Sequence, residues 1–187
     1  MTNEHHTELS LESRHWLLAW ARQNISALLN NKAPPDVKPL NAEVTQPRAC
    51  FVSLHTKAGA LRGCIGTFDD SPPLFKNIAE MAIAAATHDY RFLPLKADEL
   101  DDCVIEISAL TPRVPIAPEN VIIGEHGLWI QRGSRSGVLL PQVPVSQGWD
   151  RETFLAHTCI KAGLPQSAWQ QPDTILQSFR AEVFSEA

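Results

Sequence analysis

Two glycines three residues apart inside one short apolar stretch, Leu61-Arg62-Gly63-Cys64-Ile65-Gly66-Thr67, constrain this chain more than any other feature. Glycine is poor strand filler, because it packs no side chain and loses more conformational freedom than other residues. Two of them in one strand point to close approach by a ligand or by another backbone. The stretch follows an apolar run, Cys50-Phe51-Val52-Ser53-Leu54, and a turn at Lys57-Ala58-Gly59. That order predicts two antiparallel strands joined by a tight hairpin. Side chains alternate along a strand, so Leu61, Ile65 and Thr67 are expected on one face. Arg62 and Cys64 then share the other, with Cα atoms roughly 6.6 Å apart.

The remaining pattern places this hairpin in an α+β chain. Ser10 opens a helix in which Leu11, Leu18, Ala21, Ile25, Leu28 and Leu29 recur at helical spacing, and Asn30-Asn31 ends it. Residues 32–47 carry four prolines and read as an exposed connection. Asp69-Asp70-Ser71-Pro72 reads as a capped helix start, with Leu74, Ile78, Met81, Ala82 and Ala85 as the buried stripe. Tyr90 to Pro94 breaks that helix, Ala97 to Asp101 makes one helical turn, and Cys103 to Ala109 is a strand. Thr111 to Asn120 is a loop. The second half then repeats the order. Leu128–Arg132 and Val138–Leu140 are strands around Gly133–Gly137. A helix follows, capped by Asp150, stapled by Trp149 on Phe154 and closed by Gly163. Ile175 to Phe184 is the last strand. Hairpin, helix and strand thus occur twice, in a single domain of residues 1–187 with a tail at about 1–9 and two lobes, 10–111 and 112–187.

Composition narrows the function. The net charge is -5 and no basic run is visible. Nucleic-acid binding leans on clustered Lys and Arg, so that class is disfavoured. The amino end, Met1-Thr2-Asn3-Glu4-His5-His6, lacks the basic and then apolar progression of a secretory signal. No apolar run approaches bilayer-spanning length. The four cysteines, 50, 64, 103 and 159, form no close pair. Reduced thiols in the cytoplasm are the expectation.

Cys64 is the sharpest chemical candidate, because a nearby cation lowers a thiol pKa and thiolate is the reactive form. The competing reading is a small residue packed in the sheet. Arg62 offers a fork of donors to a carboxylate or phosphate, or else a surface ion pair. Gly63 and Gly66 offer backbone N–H groups to an anion, or else a bulge. His88 falls where the helix ends, as a general acid or base or as a cap. Asp89 and Arg91 line the same site or pin the loop to each other. Glu106 is a carboxylate inside an apolar strand, and either faces solvent or pairs with Arg62 or Arg91. Gln142, after Pro141 at a strand end, has an amide free for a ligand or for closing the loop. Spacing supports no metal site, and no cofactor motif is present. The five tryptophans are core and staple residues. Cysteine, histidine and aspartate are also the ingredients of a thiol hydrolase, but the local signatures of such enzymes are absent.

LRGCIGT resembles the hallmark of the AMMECR family, the A component of the AmmeMemoRadiSam gene set. Further motifs match in order: Asp89-Tyr90-Arg91-Phe92, Glu106-Ile107-Ser108, Gly127-Leu128, Leu139-Leu140-Pro141-Gln142-Val143, Lys161-Ala162-Gly163-Leu164 and Ala168-Trp169. The resemblance runs from about Leu17 to Phe184. It implies an α+β fold whose two repeats share one curved, barrel-like, mostly antiparallel sheet with helices packed outside. It favours Asp89, Arg91 and Glu106 as site residues and His88 less. Radical-SAM and MEMO-type proteins are the partners it implies. The expected function is a small-molecule-binding protein or enzyme component, with a polar cleft for a small anionic ligand around LRGCIGT. An adaptor that docks a protein on the same surface is the alternative, and a nucleic-acid-linked regulator the third.

Overall fold

The computed structural model describes residues 8–186. Among the described residues, helices α1 (Leu11–Leu29), α2 (Ala42–Thr45), α3 (Leu74–Thr87), α4 (Gln142–Gln147) and α5 (Arg151–Lys161) alternate with eight strands. The strands are β1 (Cys50–Thr56), β2 (Leu61–Thr67), β3 (Cys103–Leu110), β4 (Val114–Pro115), β5 (Gly127–Arg132), β6 (Arg135–Leu139), β7 (Ile175–Phe179) and β8 (Ala181–Ser185). The class is α+β. The strands do not join one shared sheet, however. They form two four-stranded sheets, ordered β2-β1-β3-β8 and β4-β7-β5-β6, and neither is a closed barrel.

The division between the sheets has a local cause. Ile175 to Phe184 is not one strand, because Arg180 interrupts it. The Arg180 carbonyl accepts the Thr111 N–H at 2.8 Å, and the Arg180 N–H donates to Thr111 Oγ1 at 2.8 Å. With both its backbone groups spent on Thr111, Arg180 ends one ladder, and the chain begins another at Ala181. Two compact units result, one from the described part of Met1–Leu110 and Glu182–Ala187, the other from Thr111–Ala181. Each repeats one topology. In the first, the hairpin β1–β2 is followed by α3, and β3 then pairs with β1 on its free edge. In the second, the hairpin β5–β6 is followed by α5, and β7 pairs with β5 in the same way.

In the first unit the core faces of α1 and α3 cover one side of the sheet. Leu74, Ile78, Met81, Ala82 and Ala85 are all buried, as the stripe predicted. They join Val52, Leu54, Ile105 and Ile107 in one apolar cluster. The stripe of α1 is rotated from its expected line. Leu18, Ala21 and Ile25 are buried as expected, but Leu11 and Leu28 are exposed, and Ser13, Leu17, Trp20 and Asn24 turn inward as well. Ser10 caps α1 by accepting the Ser13 N–H. The start of α3 departs from its motif. Pro73 stands at the cap with no side-chain bond, and Asp69 instead accepts the Ser71 N–H in the turn before it. Residues 32–47 are not wholly exposed. Asn41 caps α2, which buries Val44.

The second unit has smaller clusters around Leu128, Phe154 and Leu155, and around Ile130 and Cys159. Asp150 caps α5 by accepting the Thr153 N–H at 2.8 Å, and Gly163 follows it with φ +69°. Trp149 packs against the Phe154 cluster and stacks on His157 at 3.9 Å between ring centroids. The β5–β6 turn is tighter than the five residues expected, because Gly133 takes φ +60° and closes it in two. Between Thr111 and Asn120 lie β4 and a turn of 3-10 helix at Pro118–Asn120, where a plain loop was expected. Among the described residues no helix is long and apolar enough to cross a membrane.

Candidate functional site

The register of the first sheet sorts the hairpin residues by face. Cys64 lies opposite Ser53 and Ser53 opposite Glu106, so thiol, hydroxyl and carboxylate form one row across β2, β1 and β3. Phe51, Ser53 and His55 alternate with the buried Cys50, Val52 and Leu54, which puts the three on the face away from α3. The register slips between Leu54 and His55, and Leu61 therefore pairs with His55. This bulge takes Leu61 out of line with Ile65 and leaves it exposed.

The two glycines are explained by packing. A Cβ on Gly63 would stand 2.2 Å from the Ala85 carbonyl oxygen, within the backbone of α3. The close approach inferred from the sequence is thus that of a helix. On the opposite face, a Cβ on Gly66 would meet the Phe51 ring at 2.1 Å.

Asp89 organises the next layer. Its side chain is only 2% exposed, and it accepts the Cys64 N–H at 2.9 Å. It also accepts Arg91 Nε at 2.9 Å, Arg91 Nη2 at 2.7 Å and the Arg91 N–H at 3.2 Å. The Arg91 guanidinium, helped by the Cys64 amide, holds the Asp89 carboxyl well below the usual carboxylate range against the opposing effect of burial. A buried carboxylate thus ties the end of α3 to the backbone of the signature strand.

The Phe92 ring has two cations near it. Arg91 Cζ is 5.5 Å and Arg62 Cζ 6.0 Å from its centroid. Arg62 Nη2 donates to Glu99 Oε1 at 3.2 Å, and the Glu99 carboxyl is lowered by the Lys96 backbone N–H and by Arg62. No hydrogen bond engages Nη1 of Arg62 or of Arg91 among the described residues. The Cys64 thiol takes a hydrogen bond from Ser53 Oγ at 3.1 Å. Of the four free cysteines Cys64 alone is not buried, and burial pushes the Cys50 thiol up to about 12.

The structure therefore brings together Arg62, Cys64, Asp89 and Arg91 and leaves the other candidates apart. His88 is the exposed cap residue of α3, with Nδ1 2.9 Å from Thr87 Oγ1. Glu106 pairs with neither arginine. Its side chain is 38% exposed, and His55 Nε2 stands 3.9 Å from Oε1. Gln142 belongs to the second unit, where it opens α4 and is exposed. Sequence reasoning missed Ser53, His55 and Glu99. The alternation in β1 carried the signal for the first two. Nothing local marked Glu99, since its pairing with Arg62 spans 37 positions. Among the described residues no group of three or more His, Cys, Asp or Glu side chains is placed to hold a metal ion.

A family model described as AMMECR1 matches residues 18–184. A protein of Methanopyrus kandleri is 40% identical over 188 residues, spanning 96% of this chain and 91% of that one. One from Thermococcus onnurineus is 42% identical over 184 residues, covering 91% and 89%. The crystal structure of an uncharacterized protein from Pyrococcus horikoshii superposes with a TM-score of 0.82 at 38% identity, covering 96% of this chain and 94% of the other.

Proposed function

The chain belongs to the AMMECR1 family, and on that premise we propose that it binds a small anionic molecule beside its LRGCIGT strand. The carrying observation is the pair of guanidinium groups near one Phe92 ring, each with Nη1 unengaged among the described residues, next to a half-buried thiol. Nε and Nη2 of each guanidinium are taken by Glu99 or Asp89, so each offers its Nη1 hydrogens to a carboxylate or phosphate, beside an aromatic ring that suits a flat or apolar body. Arg62 and Arg91 would hold the anion. Asp89 would fix Arg91 and the strand backbone, and Cys64 would face the bound molecule as the accessible thiol. Radical-SAM and MEMO-type proteins would supply or consume the ligand.

The test is a thermal-shift screen of phosphorylated and carboxylated metabolites. A true ligand raises the transition temperature of the wild type and loses its effect in Arg62→Ala. Arg91→Lys, which keeps charge near Asp89 but loses the fork, should weaken it too. Equal stabilisation of wild type and Arg62→Ala by every hit would remove the reading.

The adaptor reading has its own support. Tyr90 is 94% and Leu93 84% exposed in the turn after α3, on either side of Arg91 and Phe92. Neighbouring apolar side chains so open to water are a usual mark of protein docking. Binding of a purified MEMO-type partner that is lost in Tyr90→Ser with Leu93→Ser, and kept in Arg62→Ala, would favour it.

A further inference from the structure

One hollow on the polar face of the first sheet is not used by the anion site. It measures about 240 Å³ and is lined by His55, Thr56, Lys57, Val104, Glu106 and Ser185. That is smaller than the usual pocket of a drug-sized ligand, so its occupant is a small molecule.

Its polar groups are unevenly matched. Lys57 Nζ is spent on Asp102 Oδ1 at 3.3 Å. The Thr56 hydroxyl oxygen accepts the Ala60 N–H at 3.2 Å. His55 Nε2 is shielded from solvent and has no hydrogen-bond partner among the described residues. At 3.9 Å, Glu106 Oε1 is too far for a hydrogen bond to it. A shielded nitrogen without a partner is uncommon in folded proteins, and each case calls for an explanation. With Lys57 offset by Asp102, the Glu106 carboxylate leaves the hollow with one uncompensated negative charge when His55 is neutral.

The complement follows from counting donors. With the ring proton on Nδ1, Nε2 is an acceptor, and a hydroxyl, with one hydrogen to give, then satisfies either Nε2 or the carboxylate. A primary ammonium has three, enough for both, and its charge matches Glu106. Glu106, partly exposed, can swing about its side-chain torsions to admit the group.

We propose that the hollow beside His55 and Glu106 binds a small primary ammonium compound, held by His55 Nε2 and the Glu106 carboxylate. This assignment does not rest on the anion site and survives its failure.

Putrescine is the probe, and 1,4-butanediol, of equal length with hydroxyls for amines, is the control. Ring resonances of His55 are followed by NMR, assigned with His55→Gln, at constant ionic strength. Putrescine should shift them saturably, and butanediol should not. Glu106→Gln should weaken binding at least about tenfold, the loss expected for a hydrogen bond to a charged group. Should that variant fail to fold, saturation transfer from bound putrescine, lost in His55→Gln, reads the same site. A null titration in the millimolar range, an equal response to butanediol, or undiminished binding in Glu106→Gln would each overturn the assignment.

Discussion

Replacing Asp89 by Asn tests whether one buried carboxylate holds the signature strand to the end of α3. The side chain accepts four hydrogen bonds, one from the Cys64 N–H and three from Arg91. Asparagine is nearly isosteric but neutral, and its NH2 group must face donors on at least one side. A hydrogen bond to a charged group contributes about 1.5–3 kcal/mol, and the half-exposed Arg91 end counts for less because water screens it. The expected loss is therefore about 2–3 kcal/mol near neutral pH. Since the two units need not unfold together, the assay is hydrogen exchange at the β1 amides of Val52 and Leu54, which report the first unit alone. They should exchange roughly 30- to 150-fold faster in Asp89→Asn, at about 1.4 kcal/mol per tenfold.

The sign with pH is fixed. The folded carboxyl titrates below its unfolded value, so its stabilisation is full above about pH 4 and is lost as pH falls through the folded pKa. Wild type and variant should therefore converge in acid. An unchanged exchange rate near neutral pH, or a difference that persists undiminished in strong acid, would refute the role given to Asp89.

Other expectations follow from single contacts. Gly63→Ala should destabilise the first unit by about 1–3 kcal/mol, because the new Cβ meets the Ala85 carbonyl rather than open space; urea unfolding measures it, and an unchanged midpoint would mean α3 yields freely. Iodoacetamide should modify Cys64 ahead of Cys50, Cys103 and Cys159, since those three are buried and burial raises their thiol pKa; peptide mass mapping over time decides the order. Arg48→Ala should cost about 3 kcal/mol, because the buried guanidinium pairs with Glu182 at 2.7 Å and donates to the Leu110 carbonyl at 2.9 Å, and its removal leaves Glu182 with Arg14 at 3.5 Å and the Leu9 N–H; Arg48→Met with Glu182→Leu should recover much of the loss in the same unfolding assay.

The elements themselves were legible from the chain. Helical spacing in Leu74 to Ala85, the Asp150 cap and the Gly163 stop are local signals, complete within a few residues, and the structure repeats them. The hairpin and the duplicated hairpin-helix-strand order were readable for the same reason. The Arg180 break was not, because a strand pattern does not show that its middle residue is bonded to Thr111, sixty-nine positions away. Nor was the choice between the two meanings of Gly63, since a ligand and a helix backbone demand the same missing side chain.

The site divides along the same line. Alternation put Arg62 and Cys64 together on the strand, and the helix end with the family motif named Asp89 and Arg91. Only the tertiary structure brought the end of α3 onto β2, so that Asp89 grips the Cys64 amide and Phe92 comes near two arginines. It also sent Glu106 to His55 and Arg62 to Glu99, against the pairing anticipated for them. Periodicity states which way a side chain points within its own element. What stands opposite depends on register and packing between elements distant in the chain, and no local pattern encodes that.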